Sequence, residues 1–286
     1  MVLRGTLTKN EKNSYMKLVY GGVAGCIART MVAPMDKIKI IMQVENNNFG
    51  FRQTILNNLK NEGFLNLWKG NMINSVRIFP YSGLQFLTYD LCKETFNAND
   101  TKFSSNKKLL CGATAGIVAT TITHPIDVTR HRLMCYNNIK SIRHAALDIY
   151  KENYLKGFFK GYGSTIFSLT PFIAINFAVF DMMKENIDPS IVNNTVVYTL
   201  GLGSISALLS QTLCYPLDTI RRRMQLKDSN YKNGYQAAKE IIKNESIRNF
   251  YKGMIPNVLR IVPSNAIRFT IFDYLKTYFD EYKKNN

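Results

Sequence analysis

Three acids and three bases recur at one spacing along this chain. Asp36 and Lys39, Asp127 and Arg130, and Asp218 and Arg221 stand two and five residues after Pro34, Pro125 and Pro216. The prolines are evenly placed, since 125 − 34 and 216 − 125 are both 91. A second set follows an aromatic residue: Tyr89-Asp90 with Lys93, Phe180-Asp181 with Lys184, and Phe272-Asp273 with Lys276. Carboxylates and cations in such register can form ion pairs. Catalysis finds no support, because there is no nucleophile–base arrangement and no phosphate-cradling Gly-x-x-x-x-Gly-Lys loop. Five scattered cysteines without a CxxC, and three histidines without ligand spacing, predict neither metal nor cofactor.

The elements that must carry these charges repeat too, and an internal repeat governs the reading of the fold. Small residues four apart, at 21/25, 112/116 and 203/207, precede each motif proline at a constant distance. Such pairs lie on one helix face and let another backbone come close. A polar connection follows, then an aromatic-basic-glycine mark: Trp68-Lys69-Gly70, Phe159-Lys160-Gly161 and Tyr251-Lys252-Gly253. Beyond it lies a second apolar segment with an internal proline, at Pro80, Pro171 or Pro263. The pattern predicts long helices over 15–43, 72–94, 106–134, 163–185, 194–224 and 255–277, with short surface helices between the members of each pair. Each is long enough to cross about 30 Å of hydrocarbon.

Mean hydropathy is slightly negative and Arg29, Asp36 and Lys39 share the first helix, so a soluble helical repeat is the competing reading. Prolines inside every helix tell against it, because a membrane bundle absorbs them better than a soluble helix does. Charges repeated in register point instead to a wet cavity between amphipathic helices. The net charge of +17 fits anionic substrates or an anionic membrane surface. Nucleic acid would fit as well, but no nucleic-acid motif is present. Residues 1–14 read as neither a secretory signal nor a transit peptide.

This pattern resembles the mitochondrial carrier family, whose mark is Pro-x-[Asp/Glu]-x-x-[Lys/Arg] on odd helices and [Phe/Tyr]-[Asp/Glu]-x-x-[Lys/Arg] on even ones. The likeness covers residues 15–277. It implies an all-α membrane protein of six transmembrane helices in three homologous two-helix repeats. These have pseudo-threefold symmetry around a central cavity, with short matrix surface helices. The repeats would be 15–94, 106–185 and 194–277, flanked by polar segments 1–14 and 278–286. Pro34, Pro125 and Pro216 would kink the odd helices. Asp36, Asp127 and Asp218 would pair with Arg130, Arg221 and Lys39 as a matrix gate, braced by Gln43 and Gln225 but not at Met134. Asp90, Asp181 and Asp273 would pair with Lys184, Lys276 and Lys93 as a cytoplasmic gate, with a hydroxyl brace at Tyr89 alone. The resemblance further implies a monomer in the inner mitochondrial membrane, both termini facing the intermembrane space, with the bilayer and cardiolipin as lipid partners.

Substrate must be read where the threefold pattern breaks. Five residues before the motif prolines stand Arg29, Thr120 and Gln211; three before the even-helix prolines stand Arg77, Ser168 and Arg260. Three arginines in one cavity suit a phosphorylated anion, with Ser168 and Leu169 offering a small apolar surface for its flat part. The sequences around Arg29–Gln43 and Leu67–Pro80 resemble the coenzyme A, ATP-magnesium/phosphate and adenine nucleotide branch. Coenzyme A or a related adenine nucleotide, exchanged by alternating access, is therefore expected. Thiamine pyrophosphate, another nucleotide, or a proton leak activated by anions or fatty acids are the alternatives. No acidic calcium loop occurs within these residues, against a calcium-regulated form.

Overall fold

The computed structural model describes residues 9–44, 49–96, 105–188, 195–226, 231 and 233–285. Six long helices carry the architecture: α1 (Lys9–Val44), α3 (Asn71–Thr95), α4 (Ser105–Cys135), α6 (Tyr162–Asn186), α7 (Thr195–Met224) and α9 (Met254–Asn285). Three shorter helices lie between them: α2 (Phe51–Glu62), α5 (Ile142–Gly157) and α8 (Gly234–Asn244). No strand occurs among the described residues. The chain is thus all-helical. Helix α1 starts earlier and α9 runs further than the hydropathy pattern predicts, because polar turns continue both helices without a breaker. The expected polar segment 1–14 lies outside the described residues up to position 8.

The long helices contact one another in a closed cycle, α1, α3, α4, α6, α7, α9 and back to α1. Tyr20 and Phe279 stack at 5.2 Å across the closing contact between α1 and α9. Small residues permit some of the close approaches. A side chain at Gly22 would run into the Phe79 ring at 2.8 Å, and one at Gly116 would crowd Ile173 at 3.2 Å. Gly21 and Gly203 meet no such neighbour, so not every glycine of the 21/25, 112/116 and 203/207 spacing serves a close contact. Among the described residues, two helices are long and apolar enough to cross a membrane, Leu109–Cys135 and Tyr162–Asn186. The others are interrupted by the charges and amides that gather inside the cycle.

Each motif proline lies within a helix: Pro34 in α1, Pro125 in α4, Pro216 in α7. A proline cannot donate to the carbonyl four residues back. For Pro34 that carbonyl belongs to Thr30, and the Trp68 indole N–H donates to it at 2.8 Å. In the first repeat the aromatic of the aromatic-basic-glycine mark therefore mends the break made by the motif proline. The glycine of the mark is needed for its own reason. Gly253 turns the chain at φ +84°, and a side chain there would meet the Lys39 carbonyl at 2.9 Å. Only glycine adopts that backbone without strain and lets α1 come so close.

Candidate functional site

The motif acids meet at one end of the cycle. Lys39 Nζ lies 2.8 Å from Asp218 Oδ2, and Arg130 Nη2 lies 3.2 Å from Asp36 Oδ2. Arg221 Nη2 donates to Asp127 Oδ2. Each pair joins two repeats, so the three together tie α1, α4 and α7 into a ring. Their side chains are only 4–16% exposed. Removing one partner from such a pair strands a buried charge, at about 3–5 kcal/mol.

Every ring acid also holds a second cation. Arg77 on α3 donates to Asp127 Oδ1, and Arg260 Nε on α9 lies 3.1 Å from Asp36 Oδ1. Asp218 is served differently. Its second partner is Arg222 Nε of its own helix, at 3.5 Å. The repeat position that supplies Arg77 and Arg260 is Ser168 in the second repeat, which cannot reach out as a cation. Both carboxylate oxygens of Asp127 and of Asp36 are thus engaged, one by a base of the ring and one by an arginine from an even helix.

Of the sequence-selected arginines, Arg77 and Arg260 rest on ring acids rather than standing free in the cavity. Buried acids with one cation each still attract positive charge. Arg77 also lies 5.6 Å over the Tyr81 ring, a favourable place for a cation. Arg29 Nη1 donates to Asn74 Oδ1 at 2.9 Å. Asn74 and Asn257 stand three residues before Arg77 and Arg260, and Asn257 accepts from Arg260 Nη2 at 3.3 Å. Ser168 is buried. Leu169 points toward α4, 3.7 Å from where a side chain on Gly116 would begin. Packing against α4 thus takes Leu169 away from the flat-ring surface expected of it.

The two glutamines behave differently from each other. Gln43 Nε2 lies 3.4 Å from both Asp218 Oδ2 and Thr219 Oγ1, so it touches the ring. Gln225 instead donates to Thr165 Oγ1 at 3.4 Å, because it is wedged beneath the turn at Gly161. Met134 fills the space against Gly70.

Other contacts escaped the sequence reading. Arg132 and Arg223 each stand seven residues after a motif proline. Arg132 reaches Glu152 at 2.7 Å and Asp148 at 3.3 Å; Arg223 pairs with Glu245. In the first repeat Lys37 takes the same part with Glu62. These pairs clamp the short helices onto the ring end. The recurrence at the seventh position was the available signal. His131, buried between Asp127 and Arg222, carried none.

The second set of acids and bases is not brought together. Asp90, Lys93, Asp181, Lys184 and Asp273 are exposed, and no ion pair joins them among the described residues. The Lys276 side chain lies outside the described residues, and Tyr89 is half-buried. The pairs Asp90–Lys184 and Asp273–Lys93 expected from the resemblance are therefore absent from this arrangement. The ion pairs that join the repeats at the ring end have no counterpart in this second set among the described residues.

The family model described as mitochondrial carrier protein matches the chain three times, over residues 10–100, 101–190 and 192–283. The chain belongs to the mitochondrial carrier family. Among its relatives in the family is the thylakoid ADP,ATP carrier protein, chloroplastic, of Arabidopsis thaliana. It is 36% identical over 90% of this chain, which spans 64% of that protein's length. A mitochondrial adenine nucleotide transporter of the same plant is 31% identical, with 93% of this chain and 87% of the relative covered. A mitochondrial adenyl nucleotide antiporter of Homo sapiens is 31% identical over 94% of this chain and 60% of its own length.

Proposed function

We propose that this chain is a multi-pass membrane carrier that exchanges an adenine nucleotide or coenzyme A by alternating access. The six long helices would span the membrane, with Pro34, Pro125 and Pro216 kinking the odd ones so that their ends converge. The ring of Asp36, Asp127 and Asp218 with Arg130, Arg221 and Lys39 would be the gate on the matrix side. The acids and bases of the second set, Asp90, Lys93, Asp181, Lys184, Asp273 and Lys276, would form the cytoplasmic gate when the first one opens. The inner mitochondrial membrane is the expected site. Relatives named as chloroplastic make another organelle membrane the alternative.

One observation carries the reading. Arg77 and Arg260 are attached to the gate acids and yet keep 20% and 27% of their side chains exposed. Arg29 stands in the same helix cycle, held by Asn74. A polyphosphate entering from the open end would meet these guanidiniums and form charge-assisted, bidentate hydrogen bonds. It would draw Arg77 from Asp127 and Arg260 from Asp36. Each acid would then keep one cation instead of two, and the gate would weaken. A ligand shifts a two-state equilibrium only through its different affinity for the states, and competition for shared arginines supplies that difference. Names of the relatives, which include ADP,ATP and adenine nucleotide carriers, support the nucleotide as cargo.

A basic hollow of about 480 Å³ lies outside this cavity, between Lys69–Gly70 and Lys140–Arg143. We assign it to an anionic lipid headgroup, with cardiolipin as the candidate partner.

The test is a thermal-shift screen of the purified protein against ADP, ATP, coenzyme A and thiamine pyrophosphate, since a ligand of the folded state raises its stability. Counter-exchange in liposomes follows. Stabilisation by adenine-containing anions, with saturable exchange, is expected. Conductance without saturable exchange would point to a leak and overturn the proposal.

A further inference from the structure

We propose that Cys92 and Cys111 are a redox-active thiol pair, which closes to a disulfide between α3 and α4 and thereby arrests exchange. The arrest rests on the alternating access proposed above; the bond itself does not.

Cys92 lies near the end of α3 and Cys111 near the start of α4. Both thiols are free; Cys111 is fully buried and Cys92 half-buried. Cys92 Sγ stands 3.2 Å from the Oγ1 of Thr114, one turn along α4 from Cys111. The Thr114 hydroxyl has a single hydrogen, and the Leu110 and Cys111 carbonyls lie 2.9 and 3.0 Å from its oxygen. It therefore donates within its own helix and accepts from Cys92, which holds that sulfur on the surface of α4. The Cys92 and Cys111 thiols are themselves within hydrogen-bonding reach of each other. A disulfide needs its sulfurs about 2 Å apart, and each cysteine can swing its sulfur about a single side-chain bond.

The threefold pattern isolates this pair. Tyr20 and Leu202 hold the place of Cys111 in the other repeats, since 34 − 20, 125 − 111 and 216 − 202 are all 14. All three residues are buried. Cys92 follows Asp90 by two, as Met183 follows Asp181 and Leu275 follows Asp273. Larger apolar side chains fill these places elsewhere, so packing alone does not call for cysteine. Of the three equivalent position pairs, this one alone carries a thiol on both sides.

Hydrogen peroxide is the oxidant that balances the step. The Cys92 sulfur, its proton lost to water, attacks one peroxide oxygen and the O–O bond breaks. Hydroxide leaves and takes up a proton, and a sulfenic acid remains. The Cys111 sulfur then displaces the hydroxyl of that sulfenic acid, which departs with the Cys111 proton as water. Two thiols have lost two hydrogens, and the peroxide has become two waters. Two successive exchanges with a small thiol reopen the bond.

The place of the bond decides its effect. Cys92 lies between Asp90 and Lys93 of the second motif set. Closing that set would draw Asp90 toward Lys184 on α6 and Lys93 toward Asp273 on α9, so α3 must shift against its neighbours. Helices α3 and α4 belong to different repeats, and a covalent tie between them opposes that shift.

The experiment treats the full chain in liposomes with hydrogen peroxide, maps its peptides by mass, and measures exchange of radiolabelled ADP in parallel. It compares the unsubstituted protein with Cys92→Ser and Cys111→Ala, each first shown to be inserted. The unsubstituted chain should lose two hydrogens as a crosslink between Cys92 and Cys111. Its exchange should fall to the level of protein-free liposomes and return with dithiothreitol. Neither variant should form the crosslink, and both should keep their exchange under peroxide. Cys92→Ser, at the half-buried position, carries the comparison if Cys111→Ala fails to insert. Absence of the crosslink in the unsubstituted chain would overturn the pair. A crosslink that leaves exchange unchanged would overturn the arrest, as would peroxide inhibition that persists in the variants. A reduced unsubstituted chain that exchanges nothing would instead strike the carrier reading, and the crosslink would still decide the pair.

Discussion

The two ends of the helix cycle carry the same kinds of residue and treat them in opposite ways. At one end Asp36, Asp127 and Asp218 are buried, and each contacts two cations. At the other, Asp90, Asp181 and Asp273 are exposed and without an ion pair among the described residues. Burial decides what each charge is worth. Exposed pairs contribute about 0–1 kcal/mol because water screens them. A buried acid stripped of its partners, or a buried base left alone, costs several times more. Among the described residues, ion pairs join the repeats at one end only, and under the alternating access proposed above this is one side of a reversible device.

The comparison is broken most directly by neutralising one acid at each end. Asp127→Asn leaves Arg77 and Arg221 around an uncharged amide, and a loss of about 3–5 kcal/mol is expected. Asp90→Asn should stay within about 0.5 kcal/mol. Unfolding in detergent reads both. Equal effects would erase the distinction between the ends.

A smaller effect tests how the ring end is clamped. Burial pushes the Glu245 carboxyl up, but hydrogen bonds from Arg223 and Asn249 outweigh it and hold the group below its ordinary value. Arg223 Nη2 reaches it at 2.8 Å and Asn249 Nδ2 at 2.6 Å. A lowered folded pKa adds stability above the unfolded carboxylate range and loses it as pH falls through the folded value. Glu245→Gln should therefore cost about 2 kcal/mol at pH 7. The gap to the unsubstituted protein should narrow once the pH drops below about 4. A gap that ignores pH would mean the charge is not what holds the clamp.

The smallest change should be a gain. Tyr154 turns at φ +48°, a conformation that side chains disfavour, and its side chain is 71% exposed. The corresponding turn in the first repeat uses Gly63. Tyr154→Gly should raise stability by about 1 kcal/mol, by relief of backbone strain. A loss would show that the Tyr150–Tyr154 contact outweighs the strain.

Much of the fold was legible because the same message is written three times. Proline, acid and base at a 91-residue interval placed the odd helices, and the aromatic-acid-base set placed the even ones. The sequence also singled out Arg29, Arg77 and Arg260 as departures from threefold symmetry. What it could not place was where long side chains come to rest. Arginines can reach several partners, and Arg77 and Arg260 settle on ring acids. Rotation of a helix by a fraction of a turn likewise decides that Leu169 faces α4 while Phe172 lines a cavity with Arg260. Local patterns fix neither. The clamps made by Arg132 and Arg223 were hidden for another reason, since their acids lie in connections whose spacing differs between repeats.

The most direct test of the account is counter-exchange of radiolabelled ADP by liposomes carrying the unsubstituted chain, Arg77→Ala or Arg260→Ala. Each variant is first shown to be folded and inserted. The account predicts saturable exchange by the unsubstituted chain and its loss in both variants. Near-normal exchange by both would contradict it.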